Sequence, residues 1–234
     1  MASKRGERKK GRARGELLVF HNPDKMDGEH WDSRRSLANF PRPWRAVAAG
    51  PPSSGKSSLI ANLVAYARPP YARVIVVSVD PEAHEWQTLC PGCEVLEEIP
   101  DFRDIERNEG EHNLVILEDL ALNHLDKTQA ERLDRLYGHG SSHRNTSVIS
   151  TAQDIFRLPV CARRQSNIFH LWKAPDVRSL HEVAERVGLR KGELMDLFSL
   201  CTEKHDSITL DLTDGTPAPL RKNLFHKVAA EEGE

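Results

Sequence analysis

Gly50-Pro51-Pro52-Ser53-Ser54-Gly55-Lys56-Ser57 fits G-x-x-x-x-G-K-[ST] at every fixed position. The short apolar run Val47-Ala48-Ala49 enters this stretch, and the helix-like segment Ser57 to Ala67 leaves it. Strand, glycine loop and helix in that order are the context a phosphate-binding loop requires. The chemistry dictates the residue types. Glycine permits positive φ and lets the backbone approach an anion where a Cβ would intrude. The loop N–H groups and the helix N-terminus then face phosphate oxygens. Lys56 is placed to reach the β- and γ-phosphates of ATP, and the Ser57 hydroxyl to bind Mg²⁺. Gly50, Pro51, Pro52, Ser53, Ser54, Gly55 and Ser58 complete the expected cradle. The competing reading, a glycine turn before a core helix, does not require the lysine and hydroxyl at those positions.

Working outward, short apolar runs alternate with helix-like stretches. Val74 to Val79, Leu114 to Leu117, Ser147 to Thr151 and Ile168 to Trp172 read as strands; Lys127 to Tyr137 and Val177 to Val187 read as helices. Continuous apolar runs suit strands buried on both faces of a parallel sheet, and the alternation predicts an α/β core. After Gly188 the pattern changes. Lys191 to Leu200 reads as an amphipathic helix, and Ser207 to Leu212 alternates with a period of two. Asp214-Gly215 marks a turn, and Asn223 to Val228 is the expected returning strand, so a C-terminal β-hairpin closes the core. The expected fold class is therefore an α/β P-loop NTPase with a mostly parallel central sheet flanked by helices.

A nucleotide-hydrolysing site needs acidic groups at the end of a second core strand. Leu114-Val115-Ile116-Leu117-Glu118-Asp119 supplies them. One carboxylate serves the Mg²⁺ shell and its neighbour polarises attacking water. By position Glu118 faces the metal with Ser57 and Asp119 the water; the usual order is Asp first, so the division between the two stays open. A helix-start acidic pair is the competing reading. A third strand, Ser147 to Ala152, ends in Gln153, a side chain able to touch a γ-phosphate or water.

The 234 residues suit one domain, with 33 basic against 35 acidic groups for a net charge of -2. A uniformly basic nucleic-acid binder is excluded, but a locally basic one is not. Residues 1–14 carry seven Lys or Arg against the single Glu7 and read as a disordered basic arm, able to screen phosphates. Residues 15–43, with Trp31 and three prolines, read as an extended lead-in to a single ATPase domain spanning 15–234. No run approaches the ~18 apolar residues of a membrane span, and no apolar region follows the basic start, so neither a span nor secretion is expected. Four cysteines at this length point to a reducing compartment. Cys90-Pro91-Gly92-Cys93 has the gap of a zinc knuckle or redox motif; without a second close pair, a turn bearing two half-buried thiols is the favoured reading.

Three blocks together resemble the viral genome-packaging ATPases of the FtsK–HerA superfamily, the motors of poxviruses and other large DNA viruses, virophages and tectivirus-like phages. These are the P-loop, the strand ending in Glu118-Asp119, and the run from Ser147 to Asn167, in which Gln153 is followed by Leu158-Pro159 and Arg163-Arg164-Gln165-Ser166-Asn167. Gln165 stands where the family usually has Asn. The resemblance covers about Trp44 to Phe225.

It implies a RecA/FtsK–HerA-like fold and a homo-oligomeric ring of five or six subunits. Such a ring moves double-stranded DNA into a preformed capsid through a portal vertex protein, in the host cytoplasm or nucleus or with the virion. It also implies an arginine acting on the neighbouring subunit's site, with Arg144 favoured slightly and Arg163 at or near the same interface. Sequence-independent transport requires phosphate contacts. Arg103, Arg107 and Arg135 are candidates for them, and the basic arm for DNA or the portal vertex. Three alternatives remain at this point: a cellular or plasmid DNA pump, a small-molecule P-loop kinase, and a module keeping a relic P-loop.

Overall fold

The computed structural model describes residues 39–82, 85–105, 111–173, 183–185, 188–213 and 219–228. The basic arm, most of the lead-in, Arg107, most of the Val177 to Val187 segment and the Asp214-Gly215 turn lie outside the described residues.

The apolar runs become strands β1 (Arg45–Ala49), β2 (Arg73–Ser78), β3 (Glu94–Leu96), β4 (Asn113–Glu118), β5 (Thr146–Ala152) and β6 (Ile168–Trp172). After them come β7 (Ser207–Asp211), β8 (Leu220–Lys222) and β9 (His226–Lys227). They form a nine-stranded sheet in the order β3-β2-β4-β5-β1-β6-β7-β8-β9. The first six in that order pair in parallel, and β6 to β9 pair antiparallel. β5 stands between the strand that feeds the P-loop and the strand that ends in the acidic pair.

The two-residue period of a strand sorts side chains onto two faces. Val47 and Ala49 join one apolar cluster with Val115, Leu117 and Val148. Ala46 and Ala48 join the other, with Leu59, Ile60, Leu63, Leu114 and Ile116. Both faces are covered, which is why the inner strands read as unbroken apolar runs rather than as alternating ones.

Helix α1 (Lys56–Ala65) follows the P-loop, α2 (Glu85–Leu89) follows β2, and α3 (Lys127–Arg135) is capped by the Asp126 side chain accepting from Gln129 N–H. A wider turn, Leu136–Gly140, carries α3 into the short α4 (Ser141–His143); α5 (Val160–Gln165) returns the chain from β5 to β6, and α6 (Lys191–Ser199) precedes β7.

The C-terminal hairpin forms, with one correction. The strand returning beside β7 is Leu220–Lys222, and Asn223 to Phe225 is a turn leading to β9. Asn223 is the reason. It adopts φ 56, and its Oδ1 accepts from Ser207 N–H at 2.9 Å while its amide donates to Asp206 at 3.1 Å. That conformation ends a strand, and the short polar side chain tolerates it. Behind the hairpin, Arg221 and Asp211 form a fully buried ion pair at 2.5 Å. Cys90-Pro91-Gly92-Cys93 is a turn, closed by Cys93 N–H on the Cys90 carbonyl at 3.1 Å. Cys90 is buried, and among the described residues no cluster of three or more His, Cys, Asp or Glu has metal-binding geometry. No described helix is long and apolar enough to cross a membrane.

Candidate functional site

The P-loop leaves the C-terminal end of β1, where Gly50 N–H donates to the Ala152 carbonyl of β5 at 3.0 Å. Gly50 has no room for a side chain: an added Cβ would lie 2.7 Å from the Cβ of Trp172. Ser53 and Gly55 take positive φ, 57 and 104 degrees, curling the loop over the start of α1. The first turn of α1 carries no acidic side chain, so its N–H groups and positive end are free of a built-in anion. The Ser54 hydroxyl is buried with no hydrogen-bond partner. A buried polar atom without a partner is costly, and a phosphate oxygen would satisfy it.

Lys56 is 7% exposed, and its ammonium donates to the carbonyls of Gly50 and Pro51, both at 3.0 Å. Burial lowers its pKa, and the charges of Asp119 and Glu118 oppose that shift. Across the cleft, the Ser57 hydroxyl donates to Glu118 Oε1 at 3.0 Å. The second carboxylate oxygen, Oε2, accepts from the indole N–H of Trp86. Burial pushes the Glu118 carboxyl up to about 7, with the Ser57 hydrogen bond opposing and Glu85 and Asp119 adding to the rise. Two hard oxygen donors, a hydroxyl and a carboxylate, thus meet beside a buried lysine, a donor set that suits Mg²⁺.

Asp119 is exposed and takes φ 43, with its N–H held by Thr151 Oγ1 at 2.8 Å. This bond crosses from β4 to β5 and fixes the backbone from which the carboxylate projects. Glu118 and Asp119 therefore point differently although adjacent: one lies against Ser57, the other in solvent at the cleft.

The cleft encloses about 760 Å³ and runs from Pro52–Ser58 along Leu59 and Asn62 of α1 to Leu224 and Phe225 in the turn after β8. Trp172 and His205 line it beside the P-loop; Trp172 donates to the His205 carbonyl at 3.1 Å, and His205 Nδ1 donates to the Ser54 carbonyl at 3.2 Å. Phe225 is 43% exposed and meets Tyr66 edge-to-face at 5.4 Å, giving the end remote from the lysine an aromatic surface.

The structure thus gathers Pro52 to Ser58, Glu118 and Asp119 around one cleft, while Gly50 and Pro51 lie outside its lining and meet it through the Lys56 ammonium. Gln153 lies one residue beyond β5, exposed, beside the strand end that anchors Gly50 but outside the cleft lining. Arg144 lies at the opposite end of β5, seven strand residues or about 20 Å from the phosphate loop. It cannot reach its own chain's site. Nearby, His143 stacks on His139 at 4.0 Å, and His139 meets Phe102 at 5.0 Å. Arg163, on α5, donates to the Leu158 carbonyl at 3.1 Å and sits 5.7 Å from the Phe156 ring, again away from the cleft. Arg103 pairs with Asp101 at 2.6 Å, and Arg135 is an exposed side chain 3.8 Å from Glu131. Sequence reasoning missed Trp86, Trp172, His205 and Phe225. No local motif marks them, and each enters the site only through long-range packing.

Fold and loop together define the class: a P-loop NTPase core with β5 inserted between the phosphate strand and the acidic strand. No protein-family model matches the chain, and no curated protein matches it. Solved structures do. The genome packaging NTPase B204 from Sulfolobus turreted icosahedral virus 2, in complex with AMPPCP, aligns with a TM-score of 0.54 at 14% identity, covering 80% of this chain and 98% of that one. B204, the DNA-packaging ATPase from Sulfolobus turreted icosahedral virus, aligns at 0.55 and 13% identity over 81% and 99%. The pCW3 conjugation coupling protein TcpA, in monomer form with ATPγS, aligns at 0.56 and 10% identity over 80% of this chain and 61% of that one. The chain shares their fold.

Proposed function

We propose that this protein is an ATPase that drives double-stranded DNA, packaging a viral genome into a preformed capsid. One observation carries the chemistry: the Ser57 hydroxyl and Glu118 carboxylate meet at 3.0 Å beside buried Lys56, at the end of the strand that also bears Asp119. A relic loop has no need of that pairing, and a kinase has no need of the second acid.

In this reading Lys56 exchanges the Gly50 and Pro51 carbonyls for the β- and γ-phosphates, while the loop N–H groups and the Ser54 hydroxyl take the remaining phosphate oxygens. Ser57 and Glu118 would hold Mg²⁺, which would supply positive charge to the phosphate chain. Asp119, fixed through Thr151, orients the attacking water and accepts its proton; Gln153, at the strand end beside the loop, is the candidate for touching the γ-phosphate or water. Arg144 lies too far away to serve its own subunit and is the candidate for insertion into a neighbour's site in a ring of five or six copies. Arg163 belongs to the same interface, and the portal vertex protein is the capsid partner. Arg103, Arg107, Arg135 and the residue 1–14 arm provide phosphate contacts to DNA.

The fold shared with viral packaging NTPases over 98–99% of their length supports packaging. The match to a conjugation coupling protein keeps a plasmid DNA pump as the second reading. The test is the ATPase rate with and without double-stranded DNA at low and high salt, alongside oligomer size. Stimulation at low salt that fades as salt rises is expected; no stimulation at any salt overturns the motor. Mixing wild-type and Arg144→Ala subunits tests the trans assignment, which falls if the pure variant turns over normally.

A further inference from the structure

Trp86 belongs to neither sequence motif, yet it contacts the acidic one and shares an apolar cluster with the helix that follows the other. Its ring is 2% exposed and packs in the apolar cluster that holds Leu59, Ile60 and Leu63 of the P-loop helix together with Leu114 and Ile116 of the acidic strand. Its backbone is pinned by the turn that follows: the Trp86 carbonyl accepts from Cys90 N–H at 2.8 Å and from the Cys93 thiol at 3.6 Å. From that fixed base the indole N–H donates to Glu118 Oε2, while Ser57, on another element, donates to Oε1. Indole is a donor only, so this contact has one polarity in every protonation state of the ring.

We infer that Trp86 is a positioning residue for Glu118, and that it is what allows a glutamate to stand where a shorter aspartate is usual. Glutamate carries one more rotatable bond than aspartate, and a carboxylate reaching Ser57 from that longer stem swings unless its far oxygen is held. Two donors from two rigid elements fix the plane of the carboxylate, and the contact costs nothing to form during turnover because the indole is already buried and in place. The dependence is reciprocal: without Glu118 the buried indole N–H has no partner. This inference rests on the ATPase reading for its catalytic consequence, but the contact itself is testable without turnover.

The first measurement is the ¹H–¹⁵N spectrum of the full chain. In Glu118→Ala the Trp86 indole N–H should shift and exchange with solvent at least tenfold faster, while the Trp44 and Trp172 indoles hold their positions. An unmoved Trp86 resonance overturns the contact. The second replaces Trp86 by 3-benzothienylalanine, which keeps the ring volume and puts sulfur in place of the N–H. About a tenfold fall in kcat is expected, with KM for ATP within twofold and a higher Mg²⁺ concentration for half-maximal rate. Glu118→Asp should make that same replacement nearly silent, because the shorter side chain does not depend on the indole. Unchanged kcat in the isostere, or an equal loss in both backgrounds, assigns Trp86 to packing and overturns the inference while leaving the ATPase reading intact. A wild-type chain without ATP turnover overturns the ATPase reading and any catalytic use of the indole together.

Discussion

Replacing Glu118 with glutamine should change how stability responds to pH in the nucleotide-free protein. Burial raises this carboxyl to about 7 in the folded chain, against an ordinary value of 4.5. The folded state therefore holds the proton over a range in which the unfolded chain has released it. The stabilisation from this group is fully present below pH 4.5, is lost as pH rises to 7, and changes little above that. A difference of 2.5 between the two values corresponds to about 3.4 kcal/mol as a ceiling. Partial solvent exposure reduces it to about 2 kcal/mol. Urea denaturation from pH 4.5 to 8.5 should show wild-type stability falling by that amount relative to Glu118→Gln, whose amide keeps both hydrogen bonds feasible without a charge. Mg²⁺ should reverse the trend above pH 7 in the wild type only, since it favours the ionised form. Parallel pH profiles for the two proteins would refute the burial argument.

Gly50→Ala places a methyl 2.7 Å from the Trp172 side chain, so the loop or strand β6 must shift; a loss of about 1–3 kcal/mol by thermal unfolding is expected, with weaker nucleotide binding. Arg221→Ala removes the guanidinium that pairs with buried Asp211 Oδ2, while the Thr213 N–H and hydroxyl still serve Oδ1, and should cost about 3–5 kcal/mol in denaturant titration, far more than removing exposed Arg103. Asp119→Asn should retain ATP binding while turnover falls about 100-fold or more; normal hydrolysis would remove Asp119 from the water-activating role.

The phosphate loop, the acidic strand end and the parallel core were legible because each is written in contiguous residues. A buried parallel strand is a run of apolar side chains, and a phosphate cradle needs its glycines, lysine and hydroxyl at fixed spacing. Strand β3 was not legible: Glu94 to Leu96 is three half-buried residues at the sheet edge, too short for periodicity to register. The hairpin was legible, but its return strand was displaced to Leu220–Lys222, because Asn223 is held in a left-handed conformation by Ser207 and Asp206, contacts 16 and 17 residues away.

The amino-acid order alone determined that this chain builds an α/β core around an anion site with a lysine, a hydroxyl and two acids. Those groups are adjacent in sequence or sit at the ends of unmistakable strands, so local chemistry suffices. Only the tertiary structure decided where the two acids point. Glu118 turns in against Ser57, 61 residues away, and Trp86, 32 residues away, while Asp119 at φ 43 faces solvent. Only the tertiary structure, too, put Arg144 at the far end of β5 from its own phosphate loop and brought Phe225 to the open end of the cleft. The physical reason is the same in each case: direction across a sheet and distance through a core are set by strand order and packing, which no spacing along the chain records.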